Sequence, residues 1–114
     1  MKDTNFIKSA MTVIEIEANS VKSLGKQIQP NFEDLCKSLL NTSGKLILMG
    51  IGKSGHIAQK ISATLSSTGT SSFFIHPTEA AHGDLGMISK KDSILILSNS
   101  GETKEIIEIL PALK

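Results

Sequence analysis

Leu46-Ile47-Leu48-Met49-Gly50-Ile51-Gly52-Lys53-Ser54-Gly55 decides the reading of this chain, because an uninterrupted apolar run passes directly into a glycine-punctuated turn. Such a run suits a strand covered on both faces, and glycines at its end let the backbone turn sharply and come close to a ligand. The plan recurs in Ile94-Leu95-Ile96-Leu97 followed by Ser98-Asn99-Ser100-Gly101-Glu102-Thr103. If both strands lie parallel in one sheet, their turns share its carboxyl edge. There the amides and dipoles of helix starts favour an anion, and a phosphate group is the obvious guest.

Working outward, the sequence from Lys45 alternates between two periods. It predicts a strand at 45–49, the glycine turn, a helix over 55–67, a strand at 72–75, a loop with a short helix, a strand at 93–97, and a last turn and helix reaching Pro111. That order implies an α/β fold in which right-handed crossovers place helices on both faces of a parallel sheet. Ligands bind beyond the carboxyl ends of such strands. Upstream, Phe6, Ile7, Ala10, Met11, Ile14, Val21 and Leu24 recur at mostly helical spacing, predicting one amphipathic helix from Asp3 to Leu24. A second helix is expected from Pro30 or Asn31 to the Asn41-Thr42-Ser43-Gly44 breaker, burying Phe32, Leu35, Cys36 and Leu39. Three strands are few for an open sheet, so a C-terminally incomplete domain is expected. No repeat, low-complexity tract or linker marks a boundary.

Composition narrows the function. The chain has 114 residues, 39% hydrophobic and 20% charged, which is ordinary for one folded domain. A net charge of +1 with interspersed signs gives no electrostatic case for nucleic acid or a membrane surface. The single cysteine, Cys36, cannot form an internal disulfide and reads as inert packing. No apolar run approaches the roughly 20 residues that span a bilayer, and the start does not resemble a secretory signal, so cytoplasm is the expected compartment.

The glycines match G-x-G-x-x-G at Gly50, Gly52 and Gly55, a pattern that by itself suggests a dinucleotide. The dinucleotide reading needs an acidic residue at the end of the next strand, and Phe74, Ile75 and His76 stand there instead. Gly52-Lys53-Ser54 imitates the end of a nucleotide P-loop, but Ile47 occupies the place of its first glycine. Neither nucleotide motif is complete. The hydroxyls of Ser98, Ser100 and Thr103 offer a different chemistry, since hydroxyls and turn amides together can satisfy three phosphate oxygens. The plain alternative is that Ser100 caps the last helix and its neighbours face water. Ser54, at the end of the neighbouring strand, shifts the balance toward a bound phosphate.

Four stretches carry a resemblance. Gly50-Ile51-Gly52-Lys53-Ser54-Gly55-His56, Ser66-Ser67-Thr68-Gly69-Thr70, His76-Pro77-Thr78-Glu79-Ala80-Ala81-His82-Gly83-Asp84-Leu85-Gly86-Met87 and Ser98-Asn99-Ser100-Gly101-Glu102-Thr103 resemble the D-arabinose 5-phosphate isomerases of the sugar isomerase (SIS) domain family. The resemblance extends over nearly the whole chain. It implies a flavodoxin-like three-layer sandwich with a parallel sheet, of which residues 1–114 would supply the N-terminal helices and first three βα units. It further implies interconversion of arabinose 5-phosphate and ribulose 5-phosphate through an enediol(ate), supplying the precursor of 3-deoxy-D-manno-octulosonate for lipopolysaccharide or capsule.

That reaction moves a proton between C1 and C2. It needs a base for the carbon-bound proton, stabilisation of the enediolate, and a shuttle for hydroxyl protons. The resemblance makes Lys53, His82 and Glu105 catalytic. An ammonium at Lys53 would stabilise the enediolate or orient a hydroxyl, His82 between Ala81 and Gly83 would serve ring opening or proton shuttling, and Glu105 or a histidine would be the base. Each has an ordinary alternative: a solvated lysine, an exposed histidine, and a glutamate that merely suits a helix N-terminus.

The resemblance also assigns substrate or phosphate contact to Ser54, Gly69, Thr70, His76, His82, Ser98, Ser100 and Thr103. Gly69 alone would read as a helix C-cap, and His56 reads as structural. His76 is the implied position of a zinc ion, expected to inhibit rather than to be required; the spacing to His82 is no zinc motif. No cofactor is expected. Members of the family carry further strands, another catalytic histidine and often nucleotide-sensing regulatory modules, none of them within these residues. Family members form tetramers, and the apolar N-terminal helix suits subunit packing. Two other readings stand beside this one. A sugar-phosphate-sensing module needs the serines but not Lys53, His82 and Glu105, and a hexulose phosphate isomerase differs in substrate length.

Overall fold

The computed structural model describes residues 5–113. Its contacts divide the chain into two compact units, 1–36 and 37–114. In the first, helix α1 runs Phe6–Ser23, where Asn5 caps the start by accepting the Lys8 amide at 2.9 Å. The expected start at Asp3 lies outside the described residues. Phe6, Ile7, Met11, Ile14 and Val21 are exposed, and no α1 residue is buried. A 3-10 turn, Leu24–Lys26, ends this helix.

Helix α2, Asn31–Leu40, differs from expectation. It buries no residue: Phe32 and Leu35 remain 51% and 41% exposed, and Cys36 is half-buried. The reason is local, since Phe32 and Leu35 line an open hollow of about 490 Å³ with Leu24 and Ile28 instead of entering a closed core.

The second unit is the α/β body. Strands β1, Leu46–Gly50, β2, Ser72–Phe74, and β3, Ser93–Leu97, form one parallel sheet in the order β2-β1-β3. The central strand β1 is buried along its length, which is why its sequence shows no polar alternation. Its side chains divide between faces by strand geometry. Ile47 and Met49 join Ile75, Ala80 and Ile109 on one side, with Phe73, Ile94 and Ile96 packed against them. Leu46 and Leu48 join Ala58 on the other, with Ile61, Leu65, Phe74 and Leu95.

Helix α3, Lys53–Ser67, covers the second face. The first face is covered by α4, Pro77–Ala81, and α5, Lys104–Ile109, which pack on each other. The described residues thus form the helix–sheet–helix sandwich that alternation implies. Boundaries move at four elements of this unit, β1 among them, which runs Leu46–Gly50 in place of 45–49. Helix α3 starts at Lys53, not residue 55, because Gly52 at φ 59° and ψ −129° takes the cap position with no side-chain cap. Strand β2 ends at Phe74, and α5 stops at Ile109, followed by a 3-10 turn Leu110–Leu113 containing Pro111, which lacks an amide to continue the ladder.

Hydroxyl and carboxylate groups fasten the amino edge of this sheet. Asp92 accepts the Lys45 amide at 2.7 Å through Oδ1 and the Ser89 amide at 2.7 Å through Oδ2. Those two backbone donors, aided by the Lys45 charge, hold the Asp92 carboxyl below its ordinary range. Thr42 and Ser93 share a 2.6 Å hydroxyl hydrogen bond, and Ser66 donates to the Ser72 carbonyl at 2.7 Å.

Candidate functional site

At the carboxyl edge, register decides which turns meet. Gly50 of β1 pairs with Leu97 of β3, so the glycine turn and the serine turn leave the sheet side by side. Leu48 pairs with Phe74, and extending that register by two residues brings His76 level with Gly50. The chain passes from β1 to β2 on one side and returns to β3 on the other. The crevice above β1 and β3 is therefore a topological switch point, where open α/β sheets bind ligands.

The three motif glycines have separate tasks. A Cβ on Gly55 would stand 2.7 Å from the Gly50 carbonyl oxygen, and one on Gly50 would stand 2.9 Å from the Gly55 nitrogen. This contact draws the start of α3 against the end of β1, and only two residues without side chains permit it. Gly52 meets nothing within 4 Å; its requirement is the positive φ of 59°. With the turn so formed, the amides of Lys53 and Ser54 are the first of α3 and have no acceptor within the helix. They and the helix dipole face the edge where the serine turn emerges. Lys53 is exposed and Ser54 half-buried.

Ser98 organises the second turn. Its Oγ accepts the Gly101 amide at 3.0 Å and shares a 3.1 Å hydrogen bond with Thr103 Oγ1, while Ser100 Oγ accepts the Glu102 amide at 3.1 Å. Ser98, Ser100 and Thr103 are thus gathered in one shaped loop. Thr103 is the N-cap of α5 and makes no side-chain capping bond, so the simple alternative of Ser100 as the cap is not the arrangement found. Glu105 follows in the first turn of α5, exposed.

His76 caps α4 by accepting the Thr78 amide through Nδ1 at 3.2 Å, and its ring stands edge-on to Phe74 at 6.4 Å between centroids. His82 closes the same helix, its amide donating to the Glu79 carbonyl at 3.0 Å, and its side chain is exposed. Among the described residues no group of three histidine, cysteine, aspartate or glutamate side chains is placed to hold a metal ion. His76 Nδ1 accepts the Thr78 amide, so the neutral ring carries its proton on Nε2, and a zinc ion would bind there only if that proton moved to Nδ1 and this hydrogen bond were given up.

Topology separates one expected pair from the rest. Gly69 and Thr70 lie between α3 and the start of β2, where Ser72 pairs with Leu46, which is the amino edge of the sheet. They line a hollow there with Thr42, Gly44 and Ser71. Lys53, Ser54, His76, Ser98, Ser100 and Thr103 follow strand ends at the carboxyl edge, and His82 and Glu105 belong to the helices that leave it. His56 is also placed there: starting α3 at Lys53 makes it the fourth residue of the helix, and it lines a hollow with His76. Its place four residues after Gly52, one helical turn on, is the signal that identifies it, once the helix start is known.

A family model described as the SIS domain matches residues 39–114. The arabinose 5-phosphate isomerase KdsD of Pseudomonas aeruginosa is 50% identical over 113 residues, covering 99% of this chain and 35% of its own length. KdsD of Salmonella typhi is 48% identical over 110 residues, covering 96% of this chain and 34% of its own. A solved structure of an E. coli CFT073 protein in complex with arabinose 5-phosphate matches at a TM-score of 0.81 and 44% identity, across 96% of this chain and 60% of that one. The chain spans about a third of the length of the curated relatives it matches.

Proposed function

Because the chain belongs to the SIS domain family, we propose that it is the phosphosugar-binding part of an aldose–ketose isomerase that interconverts D-arabinose 5-phosphate and D-ribulose 5-phosphate. The observation that carries this reading is the pairing of Gly50 with Leu97, which sets an amide-rich helix start beside a hydroxyl-rich turn at the sheet's switch point. The names of the relatives and the arabinose 5-phosphate complex support the substrate.

In the proposed reaction, the phosphate lies against the Lys53 and Ser54 amides and the hydroxyls of Ser54, Ser98, Ser100 and Thr103. Anchoring that end fixes the reach of the open-chain sugar. A base, Glu105 or a histidine, removes the proton from C2 of the aldose, and the electron pair forms the C1–C2 double bond of the enediolate. The Lys53 ammonium stabilises the developing negative charge on oxygen. His82 passes the hydroxyl proton from O2 to O1, and return of the carbon proton to C1 gives the ketose, so atoms and charge balance with no cofactor.

His76 contacts the sugar and is the residue through which zinc inhibits. Gly69 and Thr70, at the far edge, reach that sugar only from another copy of the chain; the homotetramer we propose supplies such copies, and the exposed apolar residues of α1 support association. We place the protein in the cytoplasm, feeding lipopolysaccharide or capsule precursor synthesis. No helix among the described residues is long and apolar enough to cross a membrane. Incubating the full-length protein with arabinose 5-phosphate and measuring ketose formation tests the reading: product must appear with the unmodified protein and be lost in Lys53→Ala. Tight binding without product would replace the isomerase with a sugar-phosphate sensor.

A further inference from the structure

Beside the glycine turn opens a hollow of about 230 Å³, lined by Gly52, Gly55, His56, Gln59, Phe74 and His76. The hydroxyls of Ser98, Ser100 and Thr103 form no part of its walls. His56 and Gln59 lie three residues apart on α3 and so share a face, which Gly52 and Gly55 continue one turn earlier. Phe74 and His76, at the end of β2, form the other side. His76 is held in place by its Nδ1 contact with the Thr78 amide and by the edge of the Phe74 ring. A neutral imidazole that accepts at Nδ1 carries its proton on Nε2, which leaves a donor.

This lining contains two imidazoles, one carboxamide and one aromatic ring, with no carboxylate or ammonium. Carboxamides and imidazoles both donate and accept, which matches the hydroxyl group, a donor and acceptor itself. The volume is below the range of about 300–1,000 Å³ usual for a whole small-molecule ligand. It suits a few hydroxylated carbons. Gly52 belongs to both the hollow and the turn whose following amides are the phosphate donors, so a ligand anchored at the turn has its remaining atoms next to this lining.

We propose that the hollow is a hydroxyl-recognition subsite of the phosphosugar site, in which His56 and Gln59 contact sugar hydroxyls and determine which polyhydroxylated phosphates bind. The inference rests on the phosphosugar reading above and adds two residues to it. Both side chains are exposed, so truncating them removes contacts without opening the core.

Calorimetric titration of the full-length protein with arabinose 5-phosphate and with inorganic phosphate, for the unmodified protein, His56→Ala and Gln59→Ala, tests the subsite. Each variant is expected to bind the sugar phosphate about fivefold more weakly, the equivalent of one net hydrogen bond, with inorganic phosphate affinity unchanged. Unaltered sugar-phosphate affinity, or an equal loss for both probes, overturns it. Turnover by the unmodified protein separates this from the parent reading. Turnover with unaltered variant affinities overturns the subsite and keeps the isomerase, whereas the fivefold loss without turnover keeps the subsite and overturns the isomerase.

Discussion

The two edges of the sheet use the same small polar residues for opposite ends. At the amino edge, hydrogen bonds join residues far apart in sequence: Asp92 to Lys45, Thr42 to Ser93, Gly44 to the Lys91 carbonyl. At the carboxyl edge, the bonds of Ser98, Ser100 and Thr103 stay within five residues of one another and shape a single turn. Long-range bonds fasten strands together, whereas local bonds give a loop its form and leave the first amides of α3 without partners. One edge holds the sheet, and the other keeps the first amides of α3 free beside a shaped hydroxyl turn.

The sharpest way to break that division is to change the carboxyl edge alone. Lys53→Ala is expected to lower kcat by about a hundredfold or more, the scale of a lost charge-stabilising donor. The exposed position of Lys53 means that the thermal midpoint should stay where it is. A stability loss matching the activity loss would place Lys53 among the structural residues. Gly55→Val attacks the close approach on which the edge is built. A Cβ there meets backbone at Gly50, and backbone cannot rotate aside as a side chain can, so the variant should lose about 3 kcal/mol in denaturant melts. An unchanged midpoint would show that the contact relaxes freely.

The amino edge gives the converse test. Asp92→Asn keeps the shape but removes the carboxylate that accepts from both Lys45 and Ser89. It should lower the thermal midpoint by a few degrees and leave sugar-phosphate affinity intact. The smallest effect is in pH. Because folding lowers the Asp92 pKa from its ordinary 3.8, its stabilisation is complete above that value and disappears as pH falls through the lower folded value. The unmodified protein should therefore lose stability in acid more steeply than Asp92→Asn; parallel acid melts would remove Asp92 from the account.

Much of this fold is written in the sequence. Apolar runs without alternation identified β1 and β3, because burial on both faces leaves no reason for a polar position. The short β2 was located to within a residue by Ser72-Phe73-Phe74. Boundaries that depend on backbone conformation were less visible. The start of α3 at Lys53 follows from the positive φ of Gly52, for which the sequence offers no Ser, Thr or Asp cap as a sign. Helical periodicity in α2 suggested a buried face, but periodicity reports which residues share a side and not how closely that side is covered. Hydroxyl density singles out 98–103, and the structure gathers Ser98, Ser100 and Thr103 in one turn. Opposition of Gly69 and Thr70 to the other residues is a consequence of which strand end each follows, and His56 gains a place only through the helix start.

Amide chemical-shift mapping of the full-length protein during titration with arabinose 5-phosphate tests the division of edges most directly. The largest shifts are expected at Gly52, Lys53, Ser54 and Ser98–Thr103, with Lys45, Ser89 and Asp92 unmoved. Shifts centred on Lys45, Ser89 and Asp92, with the glycine and serine turns silent, would contradict it.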